Sequence, residues 1–285
     1  MAGFTFYNYE PSLAAAAAFV IIFTITTLVH LWQMFRSRTW YFIPFIVGCL
    51  FEAFGYIGRA LSANESPNYT KNPYIMQSIL LLLGPALLAA SIYMVLGRLI
   101  VLLDAGHLSI IRPKWLTKVF VIGDVLSFLA QSGGGGMLAT ADNKDSVKKG
   151  ENMIVGGLFI QIFFFGFFMI VTIVFHIRIR SRPTSTSLIL STPWEKLIWV
   201  LYISSLFILV RSAFRVAEYV LGKEGALQAD EYWLYIFDAT LMALVAVLFN
   251  SFHPSRVINK DALNARPTYT VDEYPLHNME AAKYP

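Results

Sequence analysis

Seven long apolar stretches, separated by short polar segments, dominate this sequence of 285 residues. Each is close to the ~20 residues that a helix needs to cross the ~30 Å hydrocarbon core of a bilayer. Charged residues make up only 14% of the chain, against ~25% in soluble domains. We therefore expect an all-α polytopic membrane protein, a bundle of seven transmembrane helices. The stretches are Leu13–Leu31, Tyr41–Leu61, Tyr74–Leu96, Val119–Ala139, Met153–Phe175, Leu197–Tyr219 and Tyr232–Phe252.

The polar ends of the chain define the expected domain organisation. Residues 1–12 form an N-terminal segment, residues 13–252 form the transmembrane domain, and residues 253–285 form a polar tail without helical periodicity, which we expect to be disordered. No basic segment precedes the first apolar stretch, so we expect that stretch to remain in the mature protein. The single cysteine, Cys49, excludes a disulfide framework and a CxxC pair.

Lysine and arginine are unevenly distributed between alternate polar segments. Fourteen lie on one side of the expected membrane and five on the other, and three lie inside the apolar stretches. The positive-inside rule then places the N-terminus outside and the tail in the cytosol. Because topology accounts for the basic excess, no nucleic-acid partner is expected. The sequon Asn68-Tyr69-Thr70 falls in an expected outer loop, which makes Asn68 a candidate glycosylation site.

Charged residues inside the apolar stretches are the candidates for function, because each costs ~2.5–3.5 kcal/mol near the bilayer centre. Helical spacing puts Glu52 and Arg59 on one stripe of the second helix, and Asp124 on one stripe with Gln131 in the fourth. Arg211, Arg215 and Glu218 share a stripe of the sixth helix. The seven charged residues are Glu52, Arg59, Asp124, Arg211, Arg215, Glu218 and Asp238.

Depth along each helix, at ~1.5 Å per residue, predicts which charges meet. We expect contacts between Arg211 and Asp238 and between Arg59 and Glu218. Two interpretations stay open and are compatible. The charges form closed ion pairs that fix the helix register, or they line a polar cavity, open toward the outer leaflet between the second, sixth and seventh helices, that admits a headgroup or an ion.

Motifs for other chemistry are weak or missing. His30, His176 and His253 all fall near the expected cytosolic ends of helices, but no spacing such as HExxH supports a metal site. The sequence contains no Walker A loop, GxSxG elbow or GxGxxG turn, and no lysine for a retinal Schiff base in the seventh stretch. We expect neither a cofactor nor a metal.

Four motifs carry a resemblance to a known family. The first two are Glu52-Ala-Phe-Gly-Tyr56-Ile-Gly-Arg59 and a fourth-helix run from Gly123 to Gly135 that holds Asp124 and Gln131. The others are Arg211-Ser-Ala-Phe-Arg215-Val-Ala-Glu218 and His253-Pro254. In these residues the sequence resembles the fungal lipid-translocating exporter family, also called the RTA-like family after resistance to aminocholesterol. The resemblance runs in order over positions 13–256.

The resemblance implies a seven-pass protein of a fungal plasma membrane or endomembrane. Members are linked to the export or flipping of sphingoid long-chain bases, to resistance to sterol analogues and drugs, and to porphyrin uptake. The resemblance fixes neither one substrate nor a catalytic role for any residue. The motif and in-span residues together give the candidate substrate-binding set: Glu52, Tyr56, Arg59, Asp124, Gln131, Arg211, Arg215, Glu218 and Asp238.

The leading hypothesis is a non-enzymatic translocator or exporter of amphipathic lipids such as sphingoid bases or sterol-like amphiphiles. An ammonium headgroup needs a carboxylate inside the membrane, and Glu52 and Asp238 are the candidates. Arg211 and Arg215 would keep these acids ionised before a substrate binds, while the lipid tail slides past the glycines of the fourth helix. The alternatives are a seven-helix lipid receptor or sensor and, third, an intramembrane zinc hydrolase.

Overall fold

The computed structural model describes residues 7, 9–139, 143–190, 192–221, 227 and 230–258. Within these residues the chain is helical and contains no strand. Seven helices are long and apolar enough to cross a membrane, which confirms the predicted all-α bundle of seven spans. They are α1 Leu13–Ser37, α2 Ile43–Asn64, α3 Lys71–Leu102, α4 Pro113–Ala139, α5 Lys144–Ser181, α6 Trp194–Leu221 and α7, which consists of Tyr232–Leu234, Tyr235–Thr240 and Leu241–Ser251.

Several helices extend beyond the apolar stretches that predicted them. α5 begins at Lys144 rather than at Met153, and α3 ends at Leu102 rather than at Leu96. The apolar stretch marks the part of a helix that crosses hydrocarbon, whereas the helix continues until its backbone is capped. At the start of α5 that cap is the Asn143 side chain, which accepts a hydrogen bond from the Ser146 amide at 2.8 Å.

The helices pack in chain order, and α3 occupies the centre. α1 packs on α2, α2 on α3, α3 on α4 and α4 on α5; α5 packs on α6, α6 on α7, and α7 returns to α1. α3 contacts α6 in addition to its chain neighbours. The outer face is apolar, as lipid requires: on α1, for example, Leu28 and Phe35 are each 60% exposed. Because α3 contacts both α2 and α6, it lies next to the polar residues that these two helices place inside the bundle.

The four consecutive glycines of α4, Gly133–Gly136, form a packed first half and an open second half. A Cβ atom on Gly134 would lie 2.6 Å from the Gly150 carbonyl oxygen and 2.9 Å from the Ile154 amide nitrogen of α5. A Cβ on Gly135 or Gly136 would meet no atom within 4 Å. Gly134 thus lets two backbones meet, as small residues do in membrane helix pairs, and only the second half of the run is left for a lipid tail.

This split predicts opposite effects for one substitution at adjacent positions. Gly134→Ala should destabilise the protein by about 1–3 kcal/mol, because its Cβ would meet backbone atoms that cannot rotate away. Gly135→Ala adds the same methyl group in open space and should be neutral or stabilising by up to ~1 kcal/mol through helix propensity. Thermal unfolding of both variants in detergent measures the difference. Equal melting temperatures would contradict the α4–α5 contact.

The chain folds back onto the bundle after α7. Pro254–Arg256 forms a short 3₁₀ turn that is capped by His253, and Val257 and Ile258 are buried. Residues 259–285 lie outside the described residues. The disordered tail therefore stays a prediction for that part of the chain.

Candidate functional site

A missing backbone hydrogen bond inside α3 lies at the centre of the site. Pro85 has no amide hydrogen to give to the carbonyl of Leu81, four residues earlier. That carbonyl accepts a hydrogen bond from Arg211 Nη2 of α6 at 2.7 Å instead. Gly84 provides space at the same level, since a Cβ there would lie 2.8 Å from Glu52 Oε1 of α2. The Gly84-Pro85 pair therefore supplies both an acceptor and room for a carboxyl group.

Two arginines of α6 hold one aspartate of α7. Asp238 Oδ1 accepts from Arg211 Nε, and Asp238 Oδ2 accepts from Arg215 Nη2. Arg215 Nη1 also donates to Glu218 Oε2 at 3.1 Å. The side chains of Arg211 and Asp238 are each 1% exposed, whereas those of Arg215 and Glu218 are 18% and 13% exposed. The predicted Arg211–Asp238 contact is confirmed.

The backbone of α7 is irregular at Asp238. Tyr235–Thr240 forms a π-helical turn inside the helix. Such a turn contains more residues than an α-helical one, so it changes the direction of the side chains around it, and it is frequent at functional sites. Here it lies where Asp238 meets both arginines of α6.

Glu52 lies beside this ion-paired group without joining it. Its side chain is 1% exposed, and neither carboxyl oxygen has a hydrogen-bond partner among the described residues. Tyr56, one turn further along α2, is fully buried, and its hydroxyl is also without a partner. We expected Arg211 and Arg215 to keep both acids ionised. Both arginines lie within electrostatic range of Glu52, but their hydrogen bonds go to Asp238, Glu218 and Leu81, and none goes to Glu52.

Arg59 pairs with a different acid from the one expected. The predicted Arg59–Glu218 contact is wrong: Arg59 Nη2 lies 2.7 Å from Glu231 Oε1, and Glu218 pairs with Arg215 on its own helix. Arg59 also donates to the hydroxyls of Tyr9 and Tyr235, at 2.8 and 3.1 Å. Arg59 pairs with Glu231 because Glu231 directly precedes α7 and lies at the level of Arg59. Glu218 pairs with Arg215, three residues before it on the same helix.

Tyr7, Tyr9 and Ser12 cover the end of the bundle where Arg59 lies. Glu231 Oε2 accepts from the Ser12 amide at 2.8 Å, and the guanidinium carbon of Arg59 lies 5.4–5.9 Å from the ring centroids of Tyr235, Tyr9 and Tyr7. Burial raises the pKa of the Tyr7 phenol to about 12, so it stays neutral at physiological pH. Arg59, which was expected to face a cavity open to the outer leaflet, is thus covered and only 1% exposed.

This arrangement makes Glu231 a connection between α1, α2 and α7, which predicts a local effect of Glu231→Gln. The neutral amide weakens the hydrogen bonds to Arg59 and Ser12, each worth ~1.5–3 kcal/mol when one partner is charged. We expect about ten-fold faster hydrogen exchange at the Ser12 amide. Glu65→Gln, at a half-buried acid that accepts a hydrogen bond from Thr70 near the same end, is the control. Unchanged exchange in Glu231→Gln would contradict this connection.

Two of the predicted site residues, Asp124 and Gln131, lie on α4 and take no part in the ion-paired group. Gln131 Nε2 donates to Ser127 Oγ at 2.6 Å and to Gln161 Oε1 of α5 at 3.3 Å. Asp124 is 5% exposed, and neither of its oxygens has a hydrogen-bond partner among the described residues. It lies near Tyr93 of α3, which is about 13 Å along that helix from Gly84 at ~1.5 Å per residue.

The three histidines do not come together. His30 Nε2 contacts the Ala246 carbonyl at 3.1 Å, and its ring centroid lies 6.3 Å from that of His253. His176 packs on Trp199 and Tyr202 instead. In the described part of the chain, no group of three or more His, Cys, Asp or Glu side chains is arranged to hold a metal ion.

Sequence reasoning missed Glu231, Tyr9 and Tyr235. Glu231 lies outside the apolar stretches, so the insertion cost that singled out the other charges did not apply to it. A usable signal was its position directly before α7, at the end of the bundle where Arg59 lies. Asn68, the candidate glycosylation site, is exposed in the loop before α3, and its modification stays a prediction.

Comparison with known proteins gives one consistent result. A family model described as RTA1 like protein matches residues 45–261. The chain is 38% identical to protoporphyrin uptake protein 1 of Saccharomyces cerevisiae, over 87% of this chain and 91% of that protein. It is 30% identical to the probable lipid transporter atnI of Emericella nidulans, over 88% and 68%.

A third relative is the sphingoid long-chain base transporter RSB1 of Saccharomyces cerevisiae, 27% identical over 86% of this chain and 72% of that protein. No solved structure matches the chain. The family model covers most of the seven-helix bundle, including the charged residues of α2, α6 and α7. The chain is an integral membrane protein and belongs to the RTA1-like family.

Proposed function

We propose that this protein moves amphipathic cationic lipids, in particular sphingoid long-chain bases, across a fungal plasma membrane or endomembrane. The observation that carries the proposal is Glu52, a buried carboxyl group without a hydrogen-bond partner among the described residues. It lies at the centre of the bundle beside Gly84. Burying a carboxyl group without a partner is costly, so its presence at this position favours a functional role.

The physical argument starts from the headgroup. A charged ammonium group at mid-membrane costs several kcal/mol unless it meets an acid or water. Asp238 is already neutralised by Arg211 and Arg215. Glu52 lies beside these residues and forms no ion pair, so it is the proposed partner of the ammonium. The role of Asp238 is then to hold the two arginines away from Glu52.

The relatives support a lipid as the substrate. One is named a probable lipid transporter and another a sphingoid long-chain base transporter. A sphingoid base combines a single amine with a long alkyl tail, which suits one buried acid inside an apolar bundle. We accordingly propose a translocator that carries out no covalent chemistry and whose partners are membrane lipids, sterol-like amphiphiles included.

Reconstitution in liposomes tests this function. Transbilayer movement of a fluorescent sphingoid base is followed beside a phosphatidylcholine that carries the same fluorescent tail. We expect the protein to accelerate the amine lipid about ten-fold or more over the phosphatidylcholine, the effect of one charged contact. Saturable binding of the sphingoid base without any movement would instead identify a receptor, and zinc-dependent cleavage of a lipid amide would identify a hydrolase.

A further inference from the structure

We propose that Glu52 is also a proton-binding site and that the protein exchanges one proton for each lipid cation it moves. This inference rests on the proposed function of the same site and adds the ion that drives it. Three observations support it: the balance of charge around Glu52, the groups that lie next to Glu52, and the hydrogen bonds of Arg211 and Arg215, which go to other residues.

The buried ion-paired group is electrically balanced without Glu52. Among the described residues, the cations Arg211 and Arg215 pair with the anions Asp238 and Glu218. An ionised Glu52 would add one uncompensated negative charge at a position that is 1% exposed. An isolated carboxylate is too costly to bury in this way and takes up a proton instead. In this arrangement Glu52 therefore carries a proton.

The surroundings of Glu52 agree with this assignment. From α3 it meets Gly84, which has no side chain. The charged groups within electrostatic range are Arg211 and Arg215 of α6 and Asp238 of α7. On its own helix, Cys49 and Tyr56 are the neighbouring titratable groups. Arg211 Nε and Nη2 and Arg215 Nη1 and Nη2 donate to Asp238, Glu218 or the Leu81 carbonyl, and none of these bonds goes to Glu52. Arg215 Nε is buried and has no hydrogen-bond partner among the described residues.

The exchange step keeps the charge constant. As an ammonium headgroup reaches Glu52, the O–H bond of the carboxyl group breaks and the proton passes to water that enters with the headgroup. The carboxylate then pairs with the ammonium, so the site loses the positive charge of the proton and gains that of the ammonium. When the lipid leaves on the other side, Glu52 takes a proton from that side. Because the bundle holds either a proton or a cation at Glu52, each lipid moves in exchange for one proton.

A permanently charged probe separates this exchange from passive leakage of a neutral amine. The probe is a fluorescent single-chain amphiphile with a quaternary ammonium headgroup, added to proteoliposomes with a one-unit pH gradient. Full coupling would accumulate it on the acidic side by about ten-fold per pH unit. A potassium diffusion potential at equal pH should produce no accumulation, since the exchange moves no net charge.

Three outcomes are distinguishable. Accumulation driven by the pH gradient alone supports proton exchange. Movement that follows the potential, or neither gradient, overturns the exchange but leaves a lipid translocator. If neither the probe nor a sphingoid base moves under any condition, the proposed function fails and the exchange fails with it.

Proton release on binding tests Glu52 without any transport. Purified protein in weakly buffered detergent is titrated with the quaternary amphiphile while a pH dye reports released protons. We expect about one proton per bound cation for the wild type and for Glu52→Asp, which keeps a titratable carboxyl group. Glu52→Gln should release none. Equal release from Glu52→Gln would assign the proton to another group, and no release from the wild type would overturn the proposal.

Discussion

Replacing Glu52 by Gln is expected to slow the transbilayer movement of a fluorescent sphingoid base about ten-fold or more, because a charged contact of ~1.5–3 kcal/mol is lost. The amide has nearly the same size and shape as the carboxyl group but cannot become an anion. The side chain has no hydrogen-bond partner among the described residues, so the substitution breaks no bond. The fold should persist, with a melting temperature close to that of the wild type.

The control for this variant is Glu195→Gln, which makes the same chemical change at an exposed position in the first turn of α6. Movement of the sphingoid base should be unchanged there. Both variants are compared at equal amounts of reconstituted protein, with the phosphatidylcholine probe as the internal reference. Wild-type movement in Glu52→Gln would remove Glu52 from the substrate site.

Replacing Arg211 by Leu should have the largest effect on stability, a loss of about 3–5 kcal/mol. Arg211 is 1% exposed, and its guanidinium binds both Asp238 and the Leu81 carbonyl. Without it, Pro85 still withholds an amide from that carbonyl, and Asp238 keeps only Arg215. We expect a large drop in melting temperature and in the yield of monodisperse protein from detergent.

A double-mutant cycle tests whether the loss comes from the ion pair. Asp238→Leu in the Arg211→Leu background should destabilise much less than Asp238→Leu alone, because residues in contact are not additive. Arg180→Leu, at an exposed arginine near the end of α5, should change stability by no more than ~0.5 kcal/mol. Additive losses for Arg211→Leu and Asp238→Leu would show that the two side chains do not act as a pair.

The parts of the fold that follow from composition and helical spacing were predictable. Bilayer thickness sets the number and approximate length of the spans, and the cost of buried charge singles out Glu52, Arg211 and Asp238. Depth along the helices sufficed for the Arg211–Asp238 contact because both residues lie well inside their spans. The freed carbonyl of Leu81 also follows from Pro85 alone. Its partner, Arg211, does not, because that choice depends on how α3 packs against α6.

The wrong contacts have equally definite causes. Depth arithmetic considered only charges inside the apolar stretches, so it gave Arg59 to Glu218 and overlooked Glu231, which precedes α7. It also gave no weight to the three-residue spacing of Arg215 and Glu218, which allows a pair within one helix. The π-helical turn at Asp238 changes the direction of side chains in α7, and helical spacing alone cannot locate such a turn.

The pairing of early helices with α7 has a consequence for biosynthesis. Arg59 is synthesised 172 residues before Glu231, and Arg211 is synthesised 27 residues before Asp238. While the chain emerges, both arginines enter the membrane before their acids exist. Until the last helix is made, α2 and α6 therefore hold these arginines in the membrane without their acids, at a cost of ~2.5–3.5 kcal/mol for a charge near the bilayer centre.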